Sequence, residues 1–143
     1  MKKIIVMLAL VMSTQFITAQ SSADVNPFVT EFIEAQGMRK QMLESKESLT
    51  SYILEDKKVE FSNNFDKMID KFISKFSKVV SSNLSDSEIK GFIEALKEEK
   101  EFTGLSKEKQ QKFDEQLQAL QVEVTMELNE LIMEYGNPEL FQE

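Results

Sequence analysis

The stretch FSNNFDKMIDKFISKFSKVV, residues 61–80, repeats its apolar residues at intervals of three and four. Phe61, Phe65, Met68, Ile69, Phe72, Ile73, Phe76, Val79 and Val80 therefore share one face of a helix, and no strand-like alternation competes with that reading. Lys67, Lys71, Lys75 and Lys78 fall on one flank of this face, with Asp66 and Asp70 on the other. A basic amphipathic helix over 58–82 suits an anionic membrane surface. The same pattern also describes a helix whose phenylalanines enter a core and whose lysines form its solvated border. Matching apolar stripes elsewhere in the chain favour the second reading.

Outward from this helix, Leu84-Ser85-Asp86-Ser87-Glu88-Ile89 has capping-box spacing between Ser85 and Glu88, with Leu84 and Ile89 placed as a hydrophobic staple. A further helix starts there, with the stripe Ile89, Phe92, Ile93 and Leu96, and Gly104 is a natural left-handed stop after it. The last helix begins near Ser106. Its stripe runs through Phe113, Leu117, Leu120, Val124, Leu128, Leu131 and Tyr135 until Gly136 and Pro138 end it. Upstream, Asn26 is an N-cap and Pro27 occupies the first helical position, where its missing N–H costs nothing. Phe28, Phe32, Ala35, Met42, Leu49 and Ile53 continue an imperfect stripe, and Gly37 or Ser45–Ser48 can split it, so one long helix and two short ones both fit.

These elements predict an all-α fold, an antiparallel helical bundle of about four helices. Phe61, Phe65, Phe72, Phe76, Phe92, Ile93, Phe113, Leu117, Leu120, Val124 and Leu131 are its expected core. The last helix carries an acidic stripe, Glu123, Glu127, Glu130 and Glu134, on one border of its apolar face. At 100° per residue the Lys and Glu stripes lie on the same rotational side, so they meet only if their helices run antiparallel. Simple up-down order makes the second and fourth helices parallel, which leaves both stripes facing solvent or a partner. Val122, Met126 and Met133 form a smaller apolar patch opposite the main stripe. It is either a contact surface or the second buried side of an internal helix.

The first 20 residues read as a secretory signal peptide. Lys2 and Lys3 precede the apolar run Ile4 to Met12, and Ser13 to Ala19 form a more polar exit, with cleavage after Ala19 or Gln20. The apolar run is much shorter than the ~20 residues of a bilayer span. Residues 21–143 are then a single helical domain, periplasmic or secreted. With no Cys in the chain, neither a lipid thioether nor a disulfide is available.

The formal net charge of −8 becomes −10 without Lys2 and Lys3, a balance that argues against nucleic acid. His is absent, which removes Ser-His and Cys-His nucleophile systems and the Glu-x-x-His ligands of bundle di-iron sites. Four scattered glycines and the single arginine, Arg39, leave little for a phosphate loop or cofactor clamp. No cofactor and no transition metal are expected. Glu94 with Glu98 and Glu123 with Glu127 sit one turn apart, yet in a chain with 25 acids such pairs read as solvated surface rather than acid/base machinery. The glutamates of the last helix suit at most loose divalent-cation binding, since one straight helix cannot wrap an ion.

The signal, then Phe32-Ile33-Glu34-Ala35-Gln36-Gly37-Met38, then Leu84-Ser85-Asp86-Ser87-Glu88-Ile89-Lys90-Gly91-Phe92, resembles an uncharacterised secreted bacterial all-helical family of unknown function. The likeness implies a helical fold and an exported location, and carries no activity. Leu105-Ser106-Lys107-Glu108-Lys109-Gln110 resembles helix starts of small periplasmic helical chaperones. Together these features predict a non-enzymatic envelope protein that acts through protein contacts, with membrane-surface binding or a chaperone-like role as alternatives. N-terminal sequencing of the natural protein is expected to start near Ser21, and a full-length chain recovered from washed membranes would overturn export with cleavage.

Overall fold

The computed structural model describes residues 26–140, so the signal reading of 1–20 and the expected start at Ser21 lie outside the described residues. The described chain is all-helical. It comprises α1 (Pro27–Ala35), α2 (Met38–Thr50), α3 (Lys58–Asn83), α4 (Asp86–Lys97) and α5 (Lys107–Tyr135), with 3₁₀ turns at Glu55–Lys57 and Pro138–Leu140.

Five helices rather than about four follow from Gly37, whose φ of 62° is left-handed and divides the first apolar stripe into α1 and α2. Ser45 and Ser48 stay inside α2, where their hydroxyls donate to the carbonyls of Gln41 and Glu44. Asn26 caps α1 by accepting from the Phe28 N–H at 3.0 Å, with Pro27 following it. The capping box of α4 is complete: the Ser85 hydroxyl accepts from the Glu88 N–H at 3.2 Å, and the Glu88 carboxylate accepts from the Ser85 N–H at 2.8 Å.

The α3 face quoted above holds the other helices. Toward its C-terminal end Phe76 and Val80 pack with Val29 and Phe32 of α1, Ile89 and Ile93 of α4, and Phe113 and Leu120 of α5. Toward its N-terminal end Phe61, Phe65, Met68 and Ile69 pack with Ile53 and Tyr135. Of the expected core, Phe61, Phe65, Phe76, Ile93, Phe113 and Leu120 are buried. Phe72, Phe92, Leu117, Val124 and Leu131 are half-buried and pack at the margins, because each lies at the edge of a face that meets only one or two neighbours.

Helix directions depart from a simple up-down order. Asn83 donates to Gln116 at 2.6 Å and Asn64 donates to the Tyr135 hydroxyl at 2.8 Å, so α3 and α5 run antiparallel along their length. Arg39 and Lys46 of α2 reach Asp70 and Asp66 of α3 at 2.7 and 2.8 Å, which makes that pair antiparallel too. By contrast, Asn26 bonds Asp86 and Glu31 pairs with Lys97, so α1 and α4 run side by side in one direction.

The segment 98–106 is responsible. The expected left-handed stop at Gly104 is corrected: α4 ends at Lys97, and the residue with positive φ is Glu99, at 54°. From there the chain doubles back along α4 instead of turning straight into the next helix. Phe102 lays its ring on Phe92 with centroids 4.3 Å apart, and Lys109 of α5 returns to Glu88 in the first turn of α4. Consecutive helices α4 and α5 therefore start side by side. Gly91 makes the return possible, since a Cβ there would stand 2.4 Å from Cε2 of Phe102. The α5 end is tied down by a β-bridge between Ile53 and Gly136, in which the Leu54 N–H donates to Tyr135 and the Asn137 N–H donates to Tyr52.

Glycine inside a helix costs about 1 kcal/mol against alanine, so Gly91→Ala carries a propensity gain opposed by the clash with Phe102. In a Phe102→Ala background, Gly91→Ala is expected to raise unfolding stability by about that 1 kcal/mol, whereas with Phe102 present the gain is cancelled or reversed. A denaturant double-mutant cycle reads the difference; additive effects would refute the packing described.

Candidate interaction surface

The antiparallel pairing of α3 and α5 brings the two charged stripes together. Lys71 reaches Glu127, with Glu123 at 3.4 Å, and Lys75 reaches Glu123. The expectation that both stripes face solvent or a partner is thus corrected for their middle members, because doubling back over α4 reverses the direction that up-down order assigns to α5. Lys67 and Lys78 remain exposed and make no ion pair among the described residues. By the register of Asn83 on Gln116 and Lys75 on Glu123, Lys78 stands level with Leu120 and Gln121, neither of which is acidic.

The seam alters its members in opposite senses. The Glu127 carboxylate raises Lys71 above its ordinary value, and the Lys75 ammonium lowers Glu123 below the usual 4.5. Glu123 and Glu127 are both engaged by the lysines of α3. Glu94 and Glu98 are exposed at the end of α4. Beneath the seam the hollow between Met68, Phe72, Leu120 and Val124 has room for about one water molecule, far less than a ligand pocket needs. Among the described residues no group of three or more His, Cys, Asp or Glu is arranged to hold a metal ion, and no described helix is long and apolar enough to cross a membrane.

The opposite side of α5 is different. Val122, Met126 and Met133 are 53%, 59% and 86% exposed, which settles that this patch is not the second buried side of an internal helix. Exposure arises because α5 docks through its Phe113, Leu120 and Tyr135 face and no described helix packs on its back. Thr125 and Asn129 lie between the three apolar side chains and Gln118 and Ala119 precede them, giving an uncharged stripe from 118 to 133. At 1.5 Å per residue it is about 22 Å long.

Sequence reasoning missed the Phe102 fold-back and the bridge at Ile53. A solitary aromatic in the nine-residue connection 98–106 was the available signal for the first. The Ile53–Gly136 pairing had none, since the partners lie 83 residues apart.

No family model, curated protein or solved structure matches the chain.

The pairing has a direct test. Lys75→Glu is expected to lower the melting temperature by setting two acids against each other, and adding Glu123→Lys should restore it; no restoration would refute this register. The depressed Glu123 pKa means its contribution is complete above about 4.5 and is lost as pH falls through the lower folded value. The melting-temperature gap between wild type and Glu123→Gln should therefore close on titration to about pH 2.

Proposed function

We propose that this chain is an exported, non-catalytic protein of the cell envelope that works through protein contacts, with an antiparallel helical bundle as its scaffold. One observation carries the reading: a long helix turns an uncharged stripe holding Val122, Met126 and Met133 to solvent in a chain that is otherwise densely charged. Methionines adapt to irregular partner surfaces better than branched side chains do. The scaffold needs no metal, cofactor or disulfide, and the acidic balance disfavours nucleic acid. A chaperone-like use of the same stripe belongs to this class.

Binding to an anionic membrane surface is the second reading, and Lys67 and Lys78 are what favours it. Its support is reduced because Lys71 and Lys75 are already engaged by Glu123 and Glu127. Membrane attraction is worth about 1 kcal/mol per free basic residue near the surface, and two lysines spread over three turns give little.

Cross-linking capture from envelope extract is expected to yield a discrete partner with wild type and to lose it with the combined Val122→Ser, Met126→Ser and Met133→Ser variant. Salt-sensitive co-sedimentation with anionic vesicles, abolished by Lys67→Gln with Lys78→Gln, would transfer the function to the membrane surface instead.

A further inference from the structure

We infer that the outer stripe of α5 docks a basic amphipathic helix of a partner protein, with the partner's lysines or arginines set against Glu130 and Glu134. The inference rests on the protein-contact reading and names the chemistry of the partner.

Shape argues for a helix. The stripe is one helix wide and about four turns long, and residues 122, 126, 129 and 133 follow the three-and-four spacing that forms a ridge suited to a facing groove. Charge argues for a basic one. Residues 116–135 contain four acids, Glu123, Glu127, Glu130 and Glu134, and no base. The lysines of α3 answer Glu123 and Glu127, while Glu130 and Glu134 border the stripe, exposed and without an ion-pair partner among the described residues. The last turn of α5 also lacks a basic residue, so the partial negative charge at the helix C-terminus is not offset locally. Among the described residues the apolar stripe thus lies beside two glutamates that no cation pairs with.

A second copy of the chain fits less well. In a two-fold antiparallel pairing of α5 helices the same border of each faces the other, bringing the Glu130 and Glu134 edges together. In a parallel pairing the two negative C-terminal ends would stand side by side.

The test uses a synthetic peptide of about 20 residues, some 30 Å long as a helix, with leucines at three-and-four spacing and lysines along both borders. Fluorescence anisotropy with the purified protein should show binding that weakens with added salt. Two variants should each weaken it about tenfold or more. One is Val122→Ser with Met126→Ser and Met133→Ser, which leaves charge unchanged; the other is Glu130→Gln with Glu134→Gln. Circular dichroism and melting should match wild type for both, since all five positions are exposed. Equal binding of a peptide carrying glutamates in place of the lysines would overturn the proposal, as would undiminished binding by the serine variant, which would mark mere attraction between opposite net charges. Sedimentation showing a dimer that the serine variant abolishes would replace the partner helix with a second copy. Stripe-dependent capture from envelope extract without binding of the basic peptide would refute the partner's chemistry and leave the protein-contact reading standing.

Discussion

Phe61, Phe65, Ile69 and Val80 are almost wholly removed from water, and all four lie on one face of one helix. Burying a side chain of this kind contributes roughly 1.5 to 3 kcal/mol, so a helix with this many buried positions carries a large share of the folding free energy. That helix is also shared by the others: α1, α2 and α5 all pack on α3, and α4 joins through the cluster around Phe76 and Val80. Because the two core clusters sit at opposite ends of α3, its continuity keeps them in one structure. The supporting pieces are less self-sufficient. No residue of α2 is fully buried, and two ion pairs to Asp66 and Asp70 help hold it against α3.

Direction is decided elsewhere, in a segment with no regular structure. The connection 98–106 lies along α4 because Phe102 finds an aromatic neighbour in Phe92 and an open backbone at Gly91. A Cβ at residue 91 would require the ring to shift. Once the chain has returned to the start of α4, α5 has only one direction in which its apolar face can cover α3. The polar pairs Asn83–Gln116 and Asn64–Tyr135 then fix its register at both ends. Burial pushes the Tyr135 phenol above its ordinary pKa, and its hydroxyl accepts from Asn64 and donates to the Glu60 carboxylate.

The same choice distributes charge between inside contacts and outside ones. Two lysines and two glutamates that a sequence reading leaves available to partners are spent on each other. In the C-terminal half of α5 the uncharged stripe and the two glutamates beside it remain accessible. A surface of that kind supports the proposed contact with another polypeptide. That is why the functional reading moves from the lysines of α3 to the back of α5.

Local signals were enough for the helices themselves. Three-and-four periodicity, the Asn26-Pro27 start, the Ser85–Glu88 box and the Gly136 stop each act within a few residues, so a linear chain displays them in full. The buried face of α3 and the apolar patch of Val122, Met126 and Met133 were legible for the same reason. Which helices run together was not, because it turns on a contact between Phe102 and Gly91 whose strength exists only once both are brought to one place. Whether Lys71 and Lys75 face solvent or glutamate, and whether the back of α5 is covered, follow from that direction. Periodicity states which side of a helix is apolar; only packing in three dimensions decides what that side, and its opposite, will meet.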